Sequence, residues 1–94
     1  MATRGGGQDR ISTKSKLARE LVVLGKVLSD AREARGLKQS VVAERLDLPA
    51  SYLSKIEKGN RRLDVIELLQ LARALESDPA ELVAELQRRL AAEE

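Results

Sequence analysis

Two short runs of apolar residues, separated by a break of three residues, constrain the fold of this chain more than any other feature. In residues 37–62 the apolar positions repeat at helical spacing, stop at residues 47–49 and begin again; they are Val42, Ala43, Leu46, Leu48, Leu53 and Ile56. Pro49 suits the start of a second helix because its fixed φ fits a first turn, and Gly59 can end that helix in a left-handed conformation. The pattern predicts two short helices joined by a tight turn, with the second over about residues 50–58.

The segment before this pair predicts a long first helix preceded by a flexible arm. Apolar residues recur at alternating spacings of four and three from about Ser15 to Arg35, and Gly36 ends the pattern. Residues 1–14 are basic, contain three consecutive glycines and have no apolar residue between Ala2 and Ile11. We therefore expect a flexible basic arm over residues 1–14.

Two further helices are predicted in the last third of the chain. Asp64 and Glu67 have the spacing of a capping box for a fourth helix that runs to about Leu75. A second acidic cap with a proline, at residues 78–81, predicts a fifth helix that runs to about residue 91. The expected fold is all-α, with one five-helix domain over residues 15–92 and a short tail at 93–94.

Composition argues against several classes of function. The chain contains no cysteine and no histidine, so disulfides and ordinary zinc sites are not expected, and neither is a Cys- or His-based catalytic centre. Ser54 and Lys55 are adjacent, but on a helix their side chains diverge by about 100°, which argues against a Ser/Lys nucleophile. We expect no catalytic residues, no metal and no cofactor.

The sequence also lacks the signs of a membrane protein. No apolar run approaches the ~20 residues that a membrane span requires, and residues 1–10 lack the hydrophobic core of a signal peptide. A cytoplasmic protein without membrane contacts is the expectation.

Charge is divided unevenly along the chain. Residues 1–62 hold fourteen Lys and Arg against seven Asp and Glu, whereas residues 63–94 hold three against eight. The basic part contains the predicted helix pair. Such asymmetry is typical of a module with one face toward a polyanion, although it can also be a chance distribution of solvated charges.

Three segments of the chain match one known family in order and spacing: LGKVLSDAREARGLKQ, VVAERLDLPASYLSKIEKG and LDVIELLQLARALESDPAEL. From about Leu24 to Leu82 the chain resembles the Xre/Cro-type helix-turn-helix family of phage repressors and bacterial regulators. The resemblance implies a lambda-repressor-like DNA-binding domain. The family's first helix usually starts near Leu24, so here that helix is extended. The chain departs from the family at Asp47 and Glu76, where glycine is common.

The second helix of the pair is then the DNA-reading helix, with its amino-terminal part in the major groove. The candidate base contacts are Ala50, Ser51, Tyr52, Ser54 and Lys55. All except Tyr52 share the helix face opposite Leu53 and Ile56. Tyr52 has the alternative of packing on the scaffold.

Polar and basic residues flank the reading helix and are predicted to contact DNA phosphates. They are Lys38, Gln39, Lys58, Asn60, Arg61 and Arg62. The role of Gln39 is implied by the resemblance, as is a partly buried ion pair between Arg32 and Glu57. The alternative for residues 58–62 is an ordinary solvated loop.

A helix-turn-helix domain of this size normally binds DNA as a two-fold dimer, with half-sites ~34 Å apart. Apolar positions beyond the family core form two candidate interface stripes, on the first and fifth helices: Leu17, Leu21, Val22, Val83, Leu86 and Leu90. The alternative is that these stripes pack against each other within one chain.

The sequence thus predicts a DNA-binding transcriptional regulator, most simply a homodimeric repressor at a palindromic operator, with double-stranded DNA as its partner. A second interpretation is an antitoxin that binds a toxin and represses its own operon. A third is a protein-interaction module whose helix-turn-helix no longer binds DNA.

Overall fold

The computed structural model describes the backbone of residues 6–93 and the side chains of residues 15–93. This part of the chain forms five α helices: α1 (Gly6–Ala34), α2 (Gln39–Arg45), α3 (Ala50–Glu57), α4 (Val65–Ala74) and α5 (Pro79–Ala92). The five-helix, all-α prediction is confirmed. Within the described chain, no helix is both long enough and apolar enough to cross a membrane.

The first helix begins earlier than the sequence predicts. It starts at Gly6 instead of near Ser15, so residues 6–14 of the predicted arm belong to α1, and the rest of that arm lies outside the described residues. Extending an existing helix adds a hydrogen bond for each residue fixed and requires no new nucleation. The glycines and polar residues of this segment would not nucleate a helix by themselves, but they can continue one that already exists.

Helices α1 to α4 all end in a Schellman motif, in which two backbone N–H groups return to carbonyls of the last turn. The bond that spans five residues joins the N–H of Leu37 to the carbonyl of Arg32, Leu48 to Ala43, Asn60 to Lys55 and Ser77 to Ala72, at N···O distances of 3.1, 3.0, 2.8 and 2.9 Å. The residue before each donor is left-handed: Gly36, Asp47, Gly59 and Glu76, with φ of 68°, 59°, 80° and 58°. Two of these positions therefore carry the strain of a non-glycine residue, about 1–2 kcal/mol each.

The amino ends of α4 and α5 are capped by aspartates. Asp64 and Glu67 form the predicted box, because Asp64 Oδ1 accepts from Glu67 N at 2.7 Å and Glu67 Oε1 accepts from Asp64 N at 2.9 Å. Asp78 Oδ1 instead accepts from Ala80 N at 2.9 Å, one residue earlier in the helix than a capping box requires. Both caps fix the direction in which the preceding loop enters its helix.

One core joins all five helices, and its largest fully buried side chains are Leu28, Leu53, Ile56, Leu71, Leu75 and Val42. Glycines let the carboxyl end of α3 lie directly on α1. A Cβ built on Gly25 would be 2.4 Å from the carbonyl oxygen of Glu57, and one built on Gly59 would be 2.9 Å from Cα of Val22. The position of the reading helix therefore depends on two sites without a side chain.

Helix α5 packs along α1, which bears on the predicted dimer stripes. Arg89 reaches across to Asp30, with Nη1 3.0 Å from Oδ2, and Leu86 packs against the core. Of the six predicted interface residues only Val22 and Val83 are exposed, whereas the other four are partly buried. The structure thus favours the alternative in which the two stripes meet within one chain.

Candidate nucleic-acid interface

Helix α3 has one buried and one exposed face, as its spacing predicted. Leu53 and Ile56 are 0% and 1% exposed and hold the helix on the core. Ala50, Ser51 and Lys55 are exposed, and Ser54 is half-buried. The amino end of α3 has no side-chain cap, because Pro49 occupies the capping position. No capping side chain therefore accepts a hydrogen bond from the first-turn backbone N–H groups of α3.

A groove of about 460 Å³ runs between α3, the turn before it and the loop after it. It brings together five of the predicted contact residues with two apolar ones: Ser51, Tyr52, Lys55, Asn60, Arg61, Leu48 and Pro49. These residues supply hydroxyl, amide, ammonium and guanidinium groups to one concave surface. Such groups suit the donors and acceptors of base edges and phosphates.

Two predicted base contacts lie apart from this groove. Ala50 lines a neighbouring depression together with Glu44 and Asp47, whose carboxylates repel phosphate. Ser54 is half-buried and belongs to neither depression. The geometry therefore concentrates the candidate base contacts on Ser51, Tyr52 and Lys55.

Tyr52 and Arg61 lie against each other at the edge of the groove. The guanidinium carbon of Arg61 is 4.6 Å from the centroid of the tyrosine ring, which is cation–π distance. Tyr52 also packs against the core, as the alternative for this residue expected, and the same side chain lines the groove, so its contact with DNA stays a prediction. Burial and the nearby Glu67 charge raise the pKa of Tyr52, which keeps its hydroxyl a neutral donor.

An ion pair ties Arg61 to the first turn of α4. Its Nη2 lies 2.8 Å from Oε2 of Glu67, and its Nη1 donates to the carbonyl of Arg62 at 2.8 Å. The hydrogen bond from Arg61, together with that from the backbone of Asp64, holds the pKa of Glu67 below its ordinary value. Arg61 is therefore an ordered, paired cation. Lys38, Lys58 and Arg62 are exposed cations flanking α3.

The predicted Arg32–Glu57 pair forms and joins α1 to the end of α3. Arg32 donates from Nε and Nη2 to the two carboxylate oxygens at 2.7 and 3.0 Å, and its Nη1 donates to the carbonyl of Leu37 at 2.7 Å. The two side chains are 12% and 7% exposed. The hydrogen bond to Glu57 raises the pKa of Arg32. Such a two-pronged contact fixes orientation as well as distance.

Gln39 belongs to the same cluster, because its Nε2 donates to Oε1 of Glu57 at 2.8 Å. Since a carboxylate only accepts hydrogen bonds, this contact fixes the amide orientation, with Oε1 directed elsewhere. Because a phosphate oxygen also only accepts, the predicted phosphate contact has to use the second N–H of the same Nε2. Gln39 connects α2 to α3 through the shared carboxylate.

Sequence reasoning missed several residues of this region. Gly25 was not singled out, because a glycine inside a helical pattern signals nothing but low propensity. The contact between Glu67 and Arg61 joins a helix to a loop, so no periodicity indicates it. Leu48 was assigned to the apolar stripe but is 40% exposed at the groove.

Two short helices joined by a tight turn, the second with one exposed face beside a basic loop, form a helix-turn-helix. A family model described as "Helix-turn-helix" matches residues 28–82, which is more than half of the chain. The chain belongs to the Xre/Cro-type helix-turn-helix family of DNA-binding transcriptional regulators. This confirms the family and the fold that the resemblance implied.

The chain is similar to several known members. It is 38% identical over 61 residues to the uncharacterized HTH-type transcriptional regulator y4dJ of Sinorhizobium fredii, covering 65% of this chain and 79% of the relative. An XRE-family like protein from Pseudomonas syringae superposes with a TM-score of 0.73 and 37% identity over 83% of this chain and 95% of that one.

Restriction–modification controller proteins also share the fold. C.AhdI from Aeromonas hydrophila is 38% identical with a TM-score of 0.64, over 68% of this chain and 97% of that one. C.Esp1396I, solved as a tetramer in complex with its natural 35 base-pair operator, is 25% identical with a TM-score of 0.67, over 73% of this chain and 91% of that one.

Proposed function

We propose that this protein is a sequence-specific repressor that acts in the cytoplasm, inserts α3 into the major groove of an operator and has no catalytic role. The observation that carries the proposal is the groove in which Ser51, Tyr52 and Lys55 lie beside Asn60 and Arg61. The groove combines groups that can reach base edges with groups that can reach the DNA backbone. At a specific site, base contacts determine the sequence and phosphate contacts position the protein. C.Esp1396I, which shares this fold, forms a complex with its natural operator, and this supports operator DNA as the proposed partner.

Lys55 provides the sharpest test of this interface. Replacing Lys55 with alanine is expected to weaken binding to a selected duplex by about tenfold or more, because one good contact to a base discriminates by ~1–3 kcal/mol. The measurement is fluorescence anisotropy with a duplex enriched from a random pool. Lys16→Ala is the matched control, since it removes the same charge from an exposed site on α1. An equal effect of both variants would show that Lys55 acts only through charge, and enrichment of no sequence by the wild type would overturn the repressor proposal.

A second copy of the chain is the proposed partner for an apolar face at the start of α4. Val65, Ile66 and Leu69 are 71%, 61% and 42% exposed and lie within two turns, whereas isolated exposed apolar residues are the norm on a monomer. The face ends in Asp64 at one side and Arg73 at the other. Two copies related by a two-fold axis can pack α4 antiparallel, so each acidic end meets a basic end.

This α4 face lies next to the DNA-contacting loop, which ends where α4 begins. A two-fold axis at this face that runs perpendicular to the DNA would place both copies of α3 on one side of the assembly, as a palindromic operator requires. The alternative stripe on α1 and α5 is largely used within the chain. We therefore place the dimer interface on α4 and not on the residues that the sequence predicted.

Leu69→Asp tests this interface, with Val83→Asp as its control. Leu69 and Val83 are 42% and 41% exposed, so both substitutions place a charge at similarly exposed apolar sites. In sedimentation-velocity experiments, Leu69→Asp is expected to convert the dimer to monomer at concentrations at which Val83→Asp remains dimeric. Such a loss follows from burying two unpaired charges at a symmetric contact. The opposite result would assign the interface to α5.

The toxin-binding interpretation and the protein-only module stay hypotheses. The DNA selection described above separates the module from the repressor, because a module that no longer binds DNA enriches no sequence.

A further inference from the structure

Glu67 joins two elements of the interface through one carboxylate. Its Oε1 accepts from the backbone N–H of Asp64 at 2.9 Å, which completes the cap of α4. Its Oε2 accepts from Nη2 of Arg61 at 2.8 Å. The side chain is only 27% exposed. An acidic residue beside a surface that binds a polyanion opposes binding, so a carboxylate at this position calls for another role.

Arg61 is held on three sides by these contacts. Nη2 of Arg61 donates to Glu67, Nη1 donates to the carbonyl of Arg62, and the ring of Tyr52 lies against the face of the guanidinium. A guanidinium has five N–H donors, so donors remain for the groove that Arg61 lines. Their direction is set by the contacts on the other sides. The positive charge, however, is already balanced by a carboxylate.

We propose that Glu67 is a positioning residue for DNA recognition: it holds Arg61 on Tyr52 and so fixes both side chains at the groove, while it withdraws one positive charge from non-specific phosphate binding. This inference rests on the proposed DNA-binding function and extends it to a residue outside the reading helix. Glu67 thereby raises the selectivity of the interface and lowers its affinity for arbitrary DNA.

The physical basis is the difference between the two kinds of binding. Non-specific affinity comes from counterion release, and each phosphate neutralised adds about 0.9 to the slope of log K against log salt. A cation already paired with a carboxylate adds little to that slope. Specific contacts instead depend on orientation, which the pair provides and a free, long side chain lacks.

Glu67→Gln separates these effects. The glutamine amide oxygen can still accept from the backbone of Asp64, so the cap of α4 is retained, while the charge that holds Arg61 is removed. The matched control is Glu81→Gln, which removes an identical charge from the exposed third residue of α5. Both variants change net charge by the same amount. Thermal unfolding followed by circular dichroism checks that each remains folded.

Anisotropy titrations with the selected duplex and a random duplex, at several salt concentrations, give the result. For Glu67→Gln we expect the random duplex to bind roughly 3–10-fold more tightly and its salt slope to rise by about 1, while selectivity falls at least about fivefold. Glu81→Gln should leave the salt slope and selectivity near wild-type values. The double variant Arg61→Gln/Glu67→Gln removes a neutral pair, so its slope should stay within about 0.3 of wild type while its selectivity falls.

The outcomes distinguish this inference from the function on which it rests. If Glu67→Gln matches Glu81→Gln, or weakens both duplexes equally with no change in slope, Glu67 only caps α4 and the inference is wrong although the repressor proposal stands. If Glu67→Gln does not fold, the double variant decides, because retained selectivity there overturns the positioning role. If the wild type selects no duplex at all, the repressor proposal itself fails.

Discussion

Replacing Gly25 with alanine is expected to lower the free energy of unfolding by about 2–3 kcal/mol, the upper part of the range for overpacking a well-packed contact. The new Cβ would lie 2.4 Å from the carbonyl oxygen of Glu57 and 2.7 Å from that of Ile56. Both atoms belong to the backbone of α3, so no side-chain rotation can relieve the contact. Alanine would otherwise favour α1 by about 1 kcal/mol, which means that the clash has to reverse the usual sign.

Urea denaturation followed by circular dichroism measures the loss of free energy. In thermal unfolding, the melting temperature of a domain of this size should fall by about 10–20 °C. Gly36→Ala is the comparison, because its Cβ would meet nothing within 4 Å and only the left-handed φ of +68° is strained. We expect that variant to lose about 1 kcal/mol. Wild-type stability in Gly25→Ala would show that α1 and α3 are not in direct backbone contact.

The helices of this chain could be predicted because their signals are local. The capping box at Asp64, the left-handed Gly36 and Gly59 and the apolar spacing within α3 each depend on residues a few positions apart. The structure reproduces them to within one or two residues. The start of α1 was missed because helix propagation depends on the neighbouring turn and not only on the composition of residues 6–14.

Tertiary relations were accessible only in part. Family resemblance brought Arg32 and Glu57 together across 25 positions, which no periodicity would have done. It left open whether α5 would pack along α1, and it did not indicate that Val65 and Ile66 would remain exposed. Both outcomes depend on how the helices pack, and amphipathic spacing shows which face is apolar without showing what covers it.

At the candidate site, too, the sequence indicated the types of residue but not all of their contacts. The residue types on α3 and its flanking loop predicted a nucleic-acid interface, and the structure collects five of those residues in one groove. The pairing of Arg61 was not predictable, because an arginine in a basic loop looks like a free phosphate ligand. The charge available to DNA is therefore smaller than a count of basic residues suggests.

Loss of the Arg32 guanidinium is expected to destabilise the protein most. Arg32→Ala would leave the Glu57 carboxylate, 7% exposed, with the amide of Gln39 and without its cation. Removing one partner of a buried pair typically costs about 3–5 kcal/mol, far more than the pair contributes relative to an apolar replacement. The carbonyl of Leu37 would lose its donor as well. We expect a large fall in the urea midpoint with an unchanged m-value.

Two further variants show whether the cost arises from the isolated charge. Arg32→Lys keeps the charge but cannot donate to both carboxylate oxygens and to Leu37 in the same geometry, so its loss should be smaller, about 1–2 kcal/mol. The double variant Arg32→Met/Glu57→Met removes both charges. Its loss of stability should be well below the sum of the losses in Arg32→Met and in Glu57→Met. Additive losses would mean that the two charges do not interact. In that case packing at Gly25 and Gly59 would hold the carboxyl end of α3 on α1, and the ion pair would have no part in placing the reading helix.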